Sequence, residues 1–221
     1  MYKTSIILVI FCYISLCSAV DWYNFRPYNS TTCTGTMYGV GYSIKGDNIP
    51  CTSNIEGTFH STTSIITPSN TTIKLQYYSN SQPKLCSSPS LNTVYNLNQC
   101  QDAGIQGFNA GINSLWYSKN FYVNKTSTPY YPTSGGAETN ILYTMYNLAC
   151  TTITGYAYHV GYTTLNDPND PNIYYRYYCE GGVPYREYCE QAWGCDGYPQ
   201  DISQSCYPNY SFFLARTVTC V

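Results

Sequence analysis

The sequence predicts an all-β fold, a disulfide-stapled β-sandwich or barrel-like domain. β-Branched and aromatic residues recur in short runs separated by Gly, Pro, Asn and Ser, a pattern typical of strands joined by turns. Helical periodicity is weak along the whole chain. The chain contains 12 cysteines, enough to staple several of these strands together.

Eight runs are interpreted as strands. The clearest runs from Thr71 to Tyr78, where Ile73, Leu75 and Tyr77 alternate with polar residues, as in a strand with one buried face. In chain order, the predicted strands are Asp21 to Tyr28, Thr36 to Lys45, Ile55 to Ile66, Thr71 to Tyr78, Glu138 to Leu148, Thr151 to Tyr162, Asn172 to Cys179 and Ser211 to Thr219.

Residues 1–19 have the pattern of a secretory signal peptide. Lys3 provides a basic start, Ile6 to Leu16 is apolar, and cleavage is expected after Ala19. The apolar run is too short to span a bilayer as a helix, so we expect no membrane span. Residues 20–221 are then expected to form a single disulfide-rich β domain in an oxidising compartment outside the cytosol.

An internal similarity suggests a duplicated β unit. Tyr38 to Ser43 resembles Tyr158 to Thr163, and each segment is followed by a strand that ends in two consecutive tyrosines. A duplication would divide the domain into halves at about 20–120 and 121–221. The spacings differ between the two halves, and shared Tyr-rich composition is the alternative explanation, since the chain contains 27 Tyr.

Ten cysteines remain after signal cleavage, and an even number in a secreted chain predicts disulfide bonds. The sequence leaves the pairing open, with Cys33–Cys51 and Cys86–Cys100 as plausible local pairs. The ten are Cys33, Cys51, Cys86, Cys100, Cys150, Cys179, Cys189, Cys195, Cys206 and Cys220.

The sequence predicts no metal site and no cofactor. There is no Cys-x-x-Cys pair, and the only histidines are His60 and His159. Either histidine could act as a base, but each lies in a strand-like run, where a structural or surface histidine is the commoner case.

Four Asn-x-Ser/Thr sequons predict N-linked glycans in a secretory lumen. Because Asn, Ser and Thr are abundant in this chain, chance occurrence is the alternative. The acceptor residues are Asn29, Asn70, Asn124 and Asn209.

Charge is sparse and unclustered, which argues against nucleic-acid binding. Charged residues make up 10% of the chain, and the formal net charge is −2. On acidification the carboxylates lose their charge and the protein becomes positive, which would favour contact with anionic bacterial envelopes. With several disulfides, we expect the fold to survive a strongly acidic lumen.

Two carboxylates are weak candidates for catalysis. Cleavage of a glycan needs two carboxyl groups that flank the bond. The densest acidic group runs from Glu180 to Asp196 among three cysteines, and Glu180 and Glu187 are the candidates, placed on stapled loops. Solvated loop charges are the alternative interpretation.

A tyrosine-rich strand offers a second route to function. Tyr174, Tyr175, Tyr177 and Tyr178 place aromatic rings on both faces of one strand. We expect one face in the core and the other exposed, where a tyrosine ladder could bind glycan or peptidoglycan. Core packing and solubility are the alternative explanation for these tyrosines.

Short motifs add a family resemblance. Asp21-Trp22-Tyr23, followed by Tyr28-Asn29-Ser30-Thr31-Thr32-Cys33 and the Tyr38 to Tyr42 strand, resembles secreted Cys- and Tyr-rich proteins of social amoebae. That family includes the Bad-type bacteriolytic proteins, which are linked to killing bacteria in acidic phagosomes. The resemblance implies an antibacterial protein, secreted or in the lumen of the phagosome or lysosome. It carries over no catalytic residue.

Two functions therefore remain open. The first is an antibacterial, bacteriolytic protein that acts on the bacterial envelope at acidic pH, either as a cell-wall hydrolase or by binding and disruption. The second is a non-enzymatic extracellular glycoprotein that binds carbohydrate or cell surfaces. A disulfide-stapled protease inhibitor is a third reading, although nothing marks a reactive loop. The sequence does not decide between enzyme and binder, nor the number of subunits.

Overall fold

The computed structural model describes residues 20–46, 52–53, 62–66, 71–78, 91–102, 120–133, 139–166, 170–208 and 215–221. The regular structure of these residues is almost entirely β-strand, which confirms the predicted all-β class. None of the described segments is a helix long and apolar enough to cross a bilayer. The strands are β1 (Trp22–Tyr28), β2 (Gly39–Lys45), β3 (Thr52–Ser53), β4 (Thr62–Ile66), β5 (Thr72–Tyr78), β6 (Leu91–Asn96), β7 (Gln99–Asp102), β8 (Asn120–Thr126), β9 (Ile141–Tyr146), β10 (Ile153–Val160), β11 (Thr163–Asn166), β12 (Ile173–Glu180), β13 (Val183–Glu190), β14 (Gly194–Cys195), β15 (Gln200–Asp201) and β16 (Arg216–Cys220).

The strands form three open sheets rather than a closed barrel. The largest has seven strands in the order β16-β9-β10-β2-β1-β8-β7. A five-stranded sheet runs β11-β12-β13-β14, with β15 also paired to β13, and a four-stranded sheet runs β3-β4-β5-β6. The pairings described between neighbouring strands are antiparallel, as expected for strands joined by turns.

The core lies on one face of the seven-stranded sheet. Phe25 of β1 is opposite Tyr42 of β2, Tyr42 is opposite Ala157 of β10, and Ala157 is opposite Tyr143 of β9. Residues directly opposite each other in antiparallel strands share a face, and all four are buried. We call this face the inner face.

The two smaller sheets cover opposite ends of the inner face. Tyr95 of β6 meets the ring of Phe25 edge-on at 5.2 Å between centroids. Ile73 of β5 is also fully buried in the same hydrophobic cluster. At the other end, the ring of Tyr177 in β12 stacks on His159 at 4.6 Å. The three sheets therefore share one core, in the layered manner of a β-sandwich.

The outer face of the seven-stranded sheet is covered by the segment 127–133. Its residue Tyr130 donates its backbone N–H to Asn24 Oδ1 and to Ser43 Oγ, each at 2.9 Å. Ser43 Oγ also donates to Asn24 Oδ1 at 2.6 Å and contacts the Tyr130 carbonyl. The guanidinium of Arg26 lies 5.4 Å from the centre of the Tyr130 ring. Asn24 and Ser43 on this face are therefore buried with partners.

The two similar segments noted in the sequence occupy different places. Gly41 lies inside β2, directly opposite Tyr158 of β10. A Cβ atom at Gly41 would lie 2.2 Å from the Tyr158 ring, so this glycine makes room for the ring. Gly161 instead follows β10 in a turn, with φ of 60°. Division into halves stays a prediction.

The structure confirms disulfide bonding and corrects the predicted local pairs. Cys33 pairs with Cys100, with 5.5 Å between their Cα atoms, so Cys33–Cys51 and Cys86–Cys100 are both wrong. The pairing follows the sheet order, in which only β8 separates β7 from β1. Cys51 and Cys86 lie outside the described residues. The other pairs are Cys150–Cys206, Cys179–Cys220 and Cys189–Cys195.

Candidate functional site

The structure separates the two candidate catalytic carboxylates. Glu187 lies opposite Arg176, whereas Glu180 lies opposite Val183 beside the hairpin turn. Glu180 and Arg176 are four positions apart on β12, about 13 Å at the rise of a strand. The interpretation of the segment from Glu180 to Asp196 as stapled loops is also corrected, because most of it is strand, chiefly β13 together with the end of β12 and β14.

Glu187 is neither solvated nor free to act on a ligand. Its side chain is 4% exposed, and Arg176 Nε donates to its Oε2 atom at 2.9 Å, with Arg176 Nη2 on the same oxygen. The hydrogen bond to Glu187 is the largest cause that raises the pKa of Arg176. This ion pair joins β12 to β13 and holds the hairpin together.

The predicted exposed tyrosine ladder is not present on β12. Tyr177 is buried in the core, and Tyr174 and Tyr175 are half-buried. Tyr178 points to the opposite side of the strand but is only 8% exposed, since the ring of Tyr162 stacks on it at 5.0 Å with an interplanar angle of 4°. Packing, the alternative explanation, accounts for these four tyrosines.

Among the described residues, the most exposed aromatic rings lie just beyond β13. Trp193 is 85% exposed and Tyr198 is 83% exposed, and both belong to residues 191–198, which we call the aromatic loop. An exposed indole of this extent is unusual, because burial of a tryptophan side chain contributes more than burial of almost any other residue. The aromatic loop is therefore the strongest candidate for a binding surface.

The backbone of the aromatic loop is fixed at several points. The Cys189–Cys195 disulfide joins β13 to β14 across a separation of six residues. The backbone N–H of Trp193 donates to the Glu190 carbonyl at 3.3 Å, and that of Tyr198 donates to Asp196 Oδ1 at 3.0 Å. Such anchoring reduces the conformational entropy that the loop loses on binding.

One feature of the sequence points to this loop, although neither the carboxylates nor the tyrosine runs do. Trp193 is one of only three tryptophans in the chain. It lies within the six-residue spacing between Cys189 and Cys195, a loop too small to bury an indole.

His159 belongs to the core rather than to a surface site. It is fully buried between Tyr143, at 5.6 Å, and Tyr177. Neither ring nitrogen has a hydrogen-bond partner among the described residues. Burial lowers the pKa of His159 to about 3, so the ring is neutral over most of the pH range. His60 lies outside the described residues.

One cluster of potential metal ligands occurs in the described part of the chain, but its two cysteines are oxidised to a disulfide. Donor atoms of Glu187, Cys189 and Cys195 lie within 4.8 Å of one another. The two sulfurs are bonded to each other, so neither is available as the thiolate that a metal would need.

The sequons differ in accessibility. Asn29 follows β1 and is exposed, as a glycan acceptor must be. Asn124 lies within β8, and its Oδ1 atom is buried without a partner among the described residues. Asn70 and Asn209 lie outside the described residues. Glycan occupancy stays a prediction, with Asn29 the favoured acceptor.

Fold and site together define a disulfide-linked, all-β protein in whose described part the most exposed aromatic rings lie on or just after the loop closed by Cys189–Cys195. The chain belongs to the counting factor-associated protein A/B/C family, whose sequence pattern matches residues 2–217. This agrees with the resemblance to a social-amoeba family and with a secreted location. It does not single out the Bad-type proteins. No curated protein and no solved structure matches the chain.

Proposed function

We propose that this protein is a secreted antibacterial protein that binds bacterial envelopes under acidic conditions through its aromatic loop. The observation that carries the proposal is the exposure of Trp193 and Tyr198 on a backbone fixed by the Cys189–Cys195 disulfide. Flat rings with polar edges stack on sugar rings and hydrogen-bond at their rims, and peptidoglycan presents such sugars.

Charge supports the acidic condition. The envelope of bacteria is anionic, and the loop carries an exposed carboxylate, Asp196, which repels anions at neutral pH. The net charge of the protein becomes more positive in acid, which would weaken this repulsion. His159 adds no charge above about pH 3, so among the described residues the attraction comes from Lys and Arg.

Binding and disruption fit the structure better than hydrolysis by the two candidate glutamates. Carboxyl groups of glycosidases stand about 5 to 5.5 Å apart in retaining enzymes and about 6.5 to 9.5 Å apart in inverting enzymes. The backbone positions of Glu180 and Glu187 are farther apart along the hairpin than either of these distances, and the Glu187 carboxylate is paired with the guanidinium of Arg176. The proposed activity therefore needs neither carboxylate.

Sedimentation with purified bacterial cell walls tests the proposal. The wild-type protein should pellet with the walls in acidic buffer and much less in neutral buffer. The double variant Trp193→Ala/Tyr198→Ala should lose most of this binding. Tyr38→Ala, which removes an exposed ring (42%) outside the loop, is the matched control and should bind normally. Equal binding by wild type and the double variant would overturn the proposal.

Turbidity loss of living bacteria then separates binder from hydrolase. Glu180→Gln, an exposed and isosteric change, should leave acid-dependent lysis unchanged. Loss of lysis in this variant, with wall binding intact, would instead show that a carboxylate cleaves the wall.

A second candidate is a non-enzymatic glycoprotein that binds carbohydrate or cell surfaces. The family name favours it, because these proteins are described as associated with counting factor. In that case the aromatic loop would contact a protein or cell surface rather than bacteria. The same double variant should then lose binding to eukaryotic cells, while binding to bacterial walls stays low in wild type.

A further inference from the structure

A second surface feature lies away from the aromatic loop. It is an open cleft of about 450 Å³ between β16, the β12–β13 turn and residues 203–207. We call it the C-terminal cleft. The Trp193 end of the aromatic loop is distant from it, because Pro184 in the cleft wall and Glu190 are six positions apart on β13, or about 20 Å at the rise of a strand. Tyr198 is nearer, two residues before Gln200, which is opposite Arg186.

Backbone hydrogen bonds fix the walls of the C-terminal cleft. Gln204 and Val218 exchange two of them, at 3.4 Å and 2.9 Å. The N–H of Ile202 donates to the Pro184 carbonyl at 2.9 Å, and that of Ser203 donates to Asp201 Oδ1 at 2.8 Å. The site is therefore built before any ligand arrives.

Two disulfides hold the same walls. Cys179–Cys220 ties the end of β16 to β12, and Cys150–Cys206 ties the loop before β10 to the segment 203–207. Because both walls are cross-linked, a ligand here loses little affinity to ordering of the protein.

The lining of the cleft is polar but uncharged. Its described side chains include the hydroxyls of Ser203, Ser205, Thr219 and Tyr207, together with the amide of Gln204, and none of its described lining residues carries a charge. Serine and threonine hydroxyls both donate and accept hydrogen bonds. The charged groups next to the lining are bonded to it, since Arg216 Nε donates to Gln204 Oε1 and the Ser203 N–H donates to Asp201 Oδ1. A neutral ligand rich in hydroxyls would find partners in the lining itself.

Tyr207 adds a flat apolar surface at the cleft. Its side chain is 56% exposed, so its ring can cover one face of a ligand. Small-molecule sites commonly occupy about 300 to 1,000 Å³, and the C-terminal cleft is at the lower end of this range. One or two sugar rings match this size.

We propose that the C-terminal cleft is a second binding site, which takes a neutral saccharide of one or two rings. Tyr207 covers one face of the sugar, and the serine and threonine hydroxyls bind its edges. The proposal goes beyond the function assigned to the aromatic loop, because it involves none of the residues of that loop.

Titration calorimetry with defined sugars tests this site in the full secreted chain. The probes are the neutral disaccharides cellobiose, maltose and di-N-acetylchitobiose, with glucuronic acid and glucosamine as charged comparisons. At least one neutral disaccharide should bind with saturation and the charged sugars should not. Absence of saturable binding by all three neutral probes, or equal binding of the charged sugars, would overturn the proposal.

Variants locate the binding. Tyr207→Ala should weaken it by about tenfold or more, and Tyr207→Phe should retain most of it, because the ring remains. Tyr38→Ala, which removes an exposed ring that belongs to neither surface, should leave sugar affinity unchanged, and Tyr207→Ala should leave wall binding by the aromatic loop unchanged, which separates the two proposals. If only the loop variant Trp193→Ala/Tyr198→Ala loses disaccharide binding, the cleft is not the site. Circular dichroism of each variant checks the fold.

Discussion

Two buried polar sites on opposite faces of the seven-stranded sheet differ in their hydrogen-bond partners. On the outer face, Asn24 and Ser43 are almost fully buried, and both bind the backbone of Tyr130. On the inner face, His159 is fully buried between Tyr143 and Tyr177, and its ring nitrogens have no partner in the described part of the chain. A buried polar group with partners stabilises a fold, whereas one without them lowers its stability.

The difference makes the inner face the acid-sensitive one. The pKa of His159 falls from 6.5 in the unfolded chain to about 3 in the fold, so below pH 6.5 the unfolded state binds a proton that the folded state does not. Stability is therefore full above pH 6.5 and declines as the pH falls towards 3. Titratable groups nearby are the phenols of Tyr143 and Tyr177 and the guanidinium of Arg216, 5.3 Å from the Tyr143 ring.

The largest expected effect follows from this titration. Between pH 6.5 and pH 3, the free energy of unfolding should decrease by roughly 4 kcal/mol through His159 alone. His159→Phe keeps an aromatic ring without a titratable group and should flatten this part of the profile. Urea denaturation at several pH values measures both proteins, and an equally steep decline in His159→Phe would contradict the account of the inner face.

This decline qualifies the expectation that disulfides alone make the fold acid-resistant. The bridges among Cys33, Cys100, Cys150 and Cys206 constrain the unfolded chain at every pH. They offset the loss of stability that His159 causes in acid, but they do not remove the pH dependence of that loss. The structure thus predicts a protein that is weakened, though still cross-linked, in an acidic lumen.

The next largest effect concerns the outer face. Gly41→Ala would place a Cβ atom 2.2 Å from the buried ring of Tyr158, and overpacking of this kind costs about 1 to 3 kcal/mol. Tyr158→Leu in the same chain should remove much of the added penalty, because the clash disappears. Thermal unfolding of the two single variants and the double variant measures the coupling, and strictly additive effects would show that the ring and the glycine do not interact.

A smaller loss is expected when the outer hydrogen-bond network is cut. Ser43→Ala removes the hydroxyl that binds Asn24 and Tyr130, at a cost of about 1 to 2 kcal/mol. The reason is that the polar atoms of Asn24 and Tyr130 stay buried with one partner fewer. Chemical denaturation measures this difference, and an unchanged midpoint would remove the distinction between the two faces.

The smallest effect belongs to a surface ion pair on the same sheet. Lys125 Nζ lies 2.7 Å from Asp21 Oδ2, but the side chains are 32% and 47% exposed. Solvent screens such pairs, so Lys125→Ala should change stability by less than about 0.5 kcal/mol. Salt should have little further effect on the variant. A loss of stability in Lys125→Ala as large as that in Ser43→Ala would contradict the expectation that exposed ion pairs contribute little to stability.

The sequence predicted strands well where apolar residues alternate and poorly where they do not. Each of the eight predicted runs overlaps a described strand, and β1, for example, lies within Asp21 to Tyr28. Strand β13 was missed because Arg186, Glu187 and Glu190 interrupt its pattern. Strand β8 was missed because Asn and Lys follow Phe121 and Val123. In both strands, charge pairs and buried neighbours compensate for the weak pattern.

The site was harder to predict because exposure depends on contacts between distant segments. Four tyrosines in β12 gave a strong signal, yet Tyr162 and the core cover them. Trp193 gave a weak signal, and its exposure follows from the short Cys189–Cys195 loop. The cysteine pairs likewise depend on sheet order, which spacing along the chain does not reveal.

The most direct test of the central claim is the fluorescence of Trp193 in the presence of bacterial cell walls. In acidic buffer, the account predicts that walls shift tryptophan emission to shorter wavelength and protect it from a soluble quencher, and that Trp193→Phe abolishes both changes. Trp22 is half-buried and should contribute little. Wall binding by the wild type without any change in the Trp193 signal, or an undiminished change in Trp193→Phe, would contradict a binding role for the aromatic loop.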